Sequence, residues 1–170
     1  MLETYLKALE KGYYEVTFAF EGLADENVWK RPVPGLLSIG ELAGHIAFGE
    51  ATHFTADGNG EGRPDLATCK VQSVLIDSRF AYYPHTLEIA PSEEHLAMTA
   101  EQVCQELIRV HTESVDYLKA LNPNLDSVGK GWPSWHTYDE FVRYMIIHVA
   151  YHTGQMYSVR HLLGDTPPDN

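Results

Sequence analysis

The stretch Thr137-Tyr138-Asp139-Glu140-Phe141-Val142-Arg143-Tyr144-Met145-Ile146-Ile147-His148-Val149-Ala150-Tyr151-His152-Thr153-Gly154-Gln155-Met156 reads as a long helix with polar groups on its inner face. Thr137 followed three residues later by Glu140 is a capping box, and His136 and Phe141 flank it as a staple would. Beyond the cap, Phe141, Met145, His148, His152, Gln155 or Met156, Val159 and Leu162 recur every three or four residues and draw one stripe. The spacing predicts a helix to about Leu163, closed by Arg160 and His161 in its last turn, with Gly164 as the C′ residue.

Two histidines hold the middle of that stripe. Four residues advance a helix by about 400°, so His148 and His152 stand about 40° apart in rotation and about 6 Å apart along the axis. Both imidazoles can reach one point. Burying them costs on the order of 1–3 kcal/mol for each ring nitrogen left without a partner. A bound metal answers that demand; the alternative is a pair of core histidines hydrogen-bonded to neighbours or water.

Further capping boxes, Ser38–Glu41 flanked by Leu37 and Leu42, and Thr99–Gln102 flanked by Met98 and Val103, start two more helices. The Thr99 helix carries Val103, Leu107, Val110, Ser114, Leu118 and Leu121 on one face and stops at Asn122-Pro123. An earlier helix is drawn by Leu2, Tyr5, Leu9, Tyr13, Val16, Phe20 and Leu23 and is expected to end near Gly22. From Asp57 to Pro91 the chain opens with Asp57-Gly58-Asn59-Gly60-Glu61-Gly62-Arg63-Pro64, which cannot hold a helix; a shorter helix is expected around Lys70 to Tyr83. No hairpin chemistry, repeat or linker is visible, so the expectation is one all-α domain over residues 1–170, a four-helix bundle with a short extra helix in the 57–91 insertion.

With 170 residues, 44% hydrophobic and 21% charged, the chain has the length and composition of a domain that folds without a metal or disulfide staple. A metal would therefore serve chemistry first. Twenty-four acidic against 12 basic side chains give a formal net charge of -12, which repels phosphate backbones and anionic lipid surfaces and argues against nucleic acid and membrane partners. Cys69 and Cys104 are too few for a disulfide framework and read as thiols. The N-terminal residues show no basic-then-apolar leader, and no segment has the roughly 20 apolar residues a membrane span needs, so the expected location is the cytoplasm.

A third histidine, His45, lies one turn after Glu41 among the small residues Ala43, Gly44 and Ala47, which would let packed helices approach closely. The stretches Leu23-Ala24-Asp25-Glu26-Asn27-Val28-Trp29, Pro32 through His45-Ile46-Ala47, and Ile147-His148-Val149-Ala150-Tyr151-His152-Thr153-Gly154-Gln155-Met156 together resemble the DinB superfamily of four-helix bundles, which is unrelated to the polymerase of that name. The resemblance covers the first fifty residues and the last thirty-five or so; 57–91 matches nothing recognisable. It implies that His45, His148 and His152 bind one divalent metal ion. Three neutral histidines leave coordination positions open, as a catalyst requires, whereas structural zinc sites are usually closed by four protein ligands. Imidazoles suit zinc, nickel, iron or copper, and zinc or nickel is expected.

The resemblance further implies transfer of a low-molecular-weight thiol to a small electrophile, with metal-dependent hydrolysis as the alternative, and a homodimer. A non-catalytic metal-binding stress-response protein is the reading of another class; a fourth ligand from Glu41, His53 or Gln155 would favour it. Gln155 either supports a metal ligand, touches a bound molecule or makes a helix contact. Glu41 is explained by its capping box. Glu50, His53 and His111 read as surface or second-layer groups, and Trp132 and Trp135 either wall a pocket or seal the bundle end. A di-iron carboxylate site would need repeated Glu-x-x-His elements with further inward glutamates, whereas the last helix offers histidine at both positions and no such glutamate; the zinc-protease pattern H-E-x-x-H is absent, because Val149 follows His148.

Overall fold

A computed structural model describes residues 1–81 and 89–168. The described chain is all-α: α1 Leu2–Phe20, α2 Asp25–Val28, α3 Ile39–Thr55, α4 Glu93–Leu96, α5 Ala100–Leu121 and α6 Tyr138–Leu162. Among the described residues no strand forms; only isolated bridges join Gly58 to Pro64 and Val128 to Thr137. No described helix is long and apolar enough to cross a membrane.

Each of the three capping boxes forms as the sequence predicts. Ser38, Thr99 and Thr137 accept from the backbone N–H of Glu41, Gln102 and Glu140, and each N3 side chain reaches back to its cap. At α6 the staple is made of rings, with His136 and Phe141 centroids 5.7 Å apart. Ser92 and His95 form a fourth box that the Glu/Gln pattern misses, because His95 Nδ1 accepts from the Ser92 N–H in place of a carboxylate. The C-terminal ends follow local chemistry too: α5 stops on Asn122 at φ 43, and Gly22 and Gly164 take φ 69 and 80. For Gly22 and Gly164 that region carries little penalty.

The four long helices enclose one apolar core, α3 packing on α5 and α6, and α1 on α6 and α5. Leu9, Val16, Ile46, Ala47, Val103 and Leu107 are among its fully buried members. Two ends of the expected stripes lie outside it, since Leu121 and Leu162 are exposed. Arg160, expected to close its own helix, is buried instead: its Nη1 donates to the carbonyls of Ala19 and Glu21 at the end of α1, while its Nε and Nη2 pair with Asp165. The guanidinium thus satisfies carbonyls that α1 cannot satisfy internally.

α3 is covered on nearly every side; only His45 and His53 in it escape full burial. Part of that cover comes from the central insertion, and here the expectation of a helix over Lys70–Tyr83 is corrected. Residues 70–81 are irregular apart from a single 3-10 turn, Ser78–Phe80, preceded by another at Leu66–Thr68; Tyr82 and Tyr83 lie outside the described residues. Ser73 and Asp77 turn their side-chain oxygens onto the N–H groups of Leu75 and Arg79, competing with helical hydrogen bonds. Val71, Leu75 and Phe80 then plug one by one into the bundle. At Gly44 it is therefore the ring of Phe80 that makes the close approach, where a helix backbone was expected: a Cβ there would lie 2.4 Å from Phe80 Cδ2.

Candidate metal centre

His45 on α3 and His148 and His152 on α6 come together between the two helices. The Nε2 atoms of His45 and His148 are 3.0 Å apart, and one ring nitrogen from each of the three lies within 4.8 Å of the others. A tetrahedral ion with metal–nitrogen bonds near 2 Å sets its ligand nitrogens about 3.3 Å apart, so this cluster needs little rearrangement to hold one. His148 and His152 are buried and His45 half-buried.

Two rings have their outer nitrogens fixed. His45 Nδ1–H donates to the Phe80 carbonyl at 2.7 Å, and His152 Nδ1–H donates to Gln155 Oε1 at 2.6 Å. Both acceptors lack hydrogen there, which leaves the inward Nε2 of each neutral ring with a lone pair, the arrangement found around metal-ligating imidazoles. Gln155 Nε2 continues to the Tyr151 hydroxyl at 3.3 Å. Of the roles open to Gln155, the structure gives it the support of His152.

His148 fits against Gly49, where a Cβ would sit 3.1 Å from its Cε1. Its Nδ1 is buried with no partner among the described residues. With hydrogen on Nδ1, that donor is orphaned and the Nε2 lone pair faces the lone pair of His45. With hydrogen on Nε2, a bond to His45 forms and the Nδ1 lone pair is orphaned. A divalent cation among the rings relieves the repulsion in the first arrangement. The donor set therefore fits a metal ion on the chemistry of its hydrogen bonds as well as on distance.

Electrostatics favour the neutral, ligating form of all three. Burial, then the neighbouring charges of His45 and His152, push His148 down to about 2. Burial and His45 lower His152 to about 4 against the raising effect of Gln155, and burial lowers His45 against that of the Phe80 carbonyl. No other His, Cys, Asp or Glu among the described residues joins the cluster.

The remaining named residues separate cleanly. Glu41 receives the Ser38 N–H and hydroxyl and pairs with Arg31, so it is committed to the cap. His53 gives Nδ1–H to the Gly49 carbonyl and stacks on Trp132; burial lowers its pKa to about 4. Trp132 is buried, with its indole N–H on the Ala56 carbonyl, and seals the bundle end; Trp135 is exposed. Glu50 is a correction to the surface reading: it is wholly buried and accepts from His111. The group that sequence reasoning missed is the Phe80 carbonyl, which as a main-chain atom leaves no residue signature; the only trace is the small Gly44 that seats its ring.

Residues 8–156 match the sequence model of the DinB superfamily, a span that runs through the central insertion. The chain belongs to the DinB superfamily. Comparison with curated proteins and with solved structures returned no match. In this DinB-superfamily protein the histidine arrangement that the resemblance implies is present in space, with His45 supplied by α3 and the pair by α6.

Proposed function

We propose that this protein is a metal-dependent enzyme that holds one zinc or nickel ion on His45, His148 and His152 and transfers a low-molecular-weight thiol to a small electrophile. The observation that carries the metal reading is the hydrogen bonding: His45 and His152 present inward lone pairs because Phe80 O and Gln155 Oε1 take their outer protons. No fourth His, Cys, Asp or Glu among the described residues joins the three histidines, which supports a catalyst over a closed structural site. When bound, the divalent cation supplies Lewis acidity, which deprotonates a coordinated thiol near neutral pH.

The chain's own contribution is positioning and exclusion of water. Tyr144 and Tyr151, half or more exposed, set their rings 5.1 Å from His148 and 5.0 Å from His152, and flank the cluster on the outer side of α6. Gly49 and Met145 close it from within. In the proposed reaction a carbon–sulfur bond replaces the thiol S–H bond and the electrophile's carbon–leaving-group bond; the released proton leaves with that group or in solvent.

Elemental mass spectrometry tests the reading after dialysis against metal-free buffer and reloading with zinc or nickel. The expected result is about one ion per chain in the wild type and a strong reduction in His148→Ala. Loaded protein is then assayed for thiol consumption matched by electrophile consumption, which separates transfer from hydrolysis. Protein that neither retains nor reloads an ion removes the metalloenzyme reading.

A further inference from the structure

On the side of α3 facing α1 and α5 lies a second polar system that the histidine cluster does not use. Glu50 is 0% exposed, and its Oε1 accepts from His111 Nδ1–H at 2.7 Å. The Tyr13 ring stacks on His111 with centroids 3.6 Å apart. Glu50 Oε2 and the Tyr13 hydroxyl are both buried in this group and interact with each other, with no other hydrogen-bond partner for either atom among the described residues. Glu50 lies close enough to hold the Tyr13 phenol well above its ordinary pKa, behind the effect of burial, so Tyr13 stays a neutral donor. A carboxylate in a bundle core is expensive, and a core of this size does not require one.

The system is not sealed. Tyr13 and His111 form part of the floor of a groove of about 410 Å³ between α1 and α5, and the His111 side chain remains 13% exposed. Because His111 Nδ1–H donates to Glu50, Nε2 is the ring nitrogen that the carboxylate leaves to meet a ligand, and the carboxylate fixes the orientation of the ring. Around the groove stand Glu3, Glu10 and Asp116 against Lys7 and Lys119, with Tyr14 contributing an aromatic wall. Counting Glu50 beneath the floor, carboxylates exceed ammonium groups, which disfavours an anion. Aromatic faces combined with carboxylates are the chemistry that recognises a cation. The volume lies in the range of small-molecule sites.

We propose that the α1–α5 groove is a second ligand site that takes a small organic cation, a protonated amine, whose N–H bonds to His111 Nε2 while Glu50 fixes that acceptor from behind. The carbon part of the ligand lies along the Leu6, Ile108 and Val115 side of the groove. The site stands independently of the metal reading, since no residue is shared between them.

The test is titration of full-length, metal-loaded protein with 1,4-diaminobutane at neutral pH, followed by heteronuclear NMR of the His111 and Tyr13 ring resonances, with potassium acetate at matched ionic strength as control. The expected result is a saturable shift centred on those rings with the diamine, none with acetate, and binding weakened about tenfold or more in Glu50→Gln. Should Glu50→Gln fail to fold, the exposed double substitution Glu10→Gln with Asp116→Asn provides the same comparison and is expected to weaken binding several-fold. The same titration of His148→Ala is expected to leave the shift intact. A shift that does not saturate, that survives unchanged in both carboxylate variants, that is matched by acetate, or that disappears in His148→Ala because the amine sits on the metal, overturns the proposal.

Discussion

Gly44→Ala offers a way to disturb the candidate metal centre without touching any of its three histidines. The added Cβ would lie 2.4 Å from Phe80 Cδ2, 2.7 Å from Cγ and 2.8 Å from Cε2, where ordinary contact begins at 3.4 Å. The ring must therefore retreat by about 1 Å, and it is buried with His95 packed on it at 4.8 Å between centroids. Phe80 also carries the carbonyl that receives His45 Nδ1–H at 2.7 Å; a displacement of that size takes the bond to the edge of hydrogen-bond range or past it. Overpacking costs about 1–3 kcal/mol, against which the better helix propensity of alanine returns up to about 1 kcal/mol. Loss of an imidazole's outer partner weakens metal binding about 10- to 100-fold. The assay is zinc affinity by chelator competition alongside urea unfolding of the apoprotein. Gly154→Ala on α6, whose Cβ meets nothing within 4 Å, is the control and should keep its affinity and gain slightly in stability. Gly44→Ala with unchanged zinc affinity would refute the role given to Phe80.

Three further outcomes follow from the same geometry. Gln155→Leu removes the acceptor from His152 Nδ1 and should weaken metal retention about 10- to 100-fold, with Gln155→Glu restoring it; equal affinity in all three proteins would sink the support role. The folded-state pKa values of His148, His152 and His53 lie below the unfolded value near 6.5, so the unfolded chain binds more protons; apoprotein stability is therefore full above about pH 6.5 and falls as pH drops toward 4. Urea midpoints that rise as pH falls through that window would contradict it. Arg160→Met uncaps α1 and strands Asp165, so the unfolding temperature should fall with a stability loss of about 3 kcal/mol, while zinc affinity in the folded protein stays unchanged; a loss of affinity without a loss of stability would place Arg160 in the site instead.

The helices were legible because their signals are local. Ser38, Thr99 and Thr137 each specify a start within four residues, and Asn122 and Gly164 specify ends by the backbone region they tolerate. His95 escaped because a ring nitrogen performs the reciprocal half of a capping box that pattern reading assigns to Glu or Gln. The insertion was misread for a related reason. Val71 and Leu75 lie four residues apart, as on one helix face, but Phe80 follows after five, about 140° further round, and Ser73 and Asp77 between them hold the backbone in turns while all three apolar side chains are buried in the bundle. Side-chain oxygens that take local N–H groups break a helix at positions the expectation of one over Lys70–Tyr83 did not weigh.

The site shows the same division. Which residues meet was legible from two helices, because His148 and His152 fall on one face and His45 on the inner side of another. What orients them was legible only where it was local: Gln155 is three residues from His152, one helical turn, whereas Phe80 is 35 residues from His45 and acts through a main-chain oxygen. The irregular form of the insertion is what makes that oxygen available, since a carbonyl inside a regular helix would already accept from the residue four ahead. Had residues 70–81 formed the expected helix, the His45 ring would have lost a ready acceptor for its outer proton. The departure from the sequence expectation and the orientation of the α3 histidine therefore have one cause, the turn chemistry of Ser73 and Asp77 that leaves Phe80 at the end of a single 3-10 turn with its carbonyl facing α3.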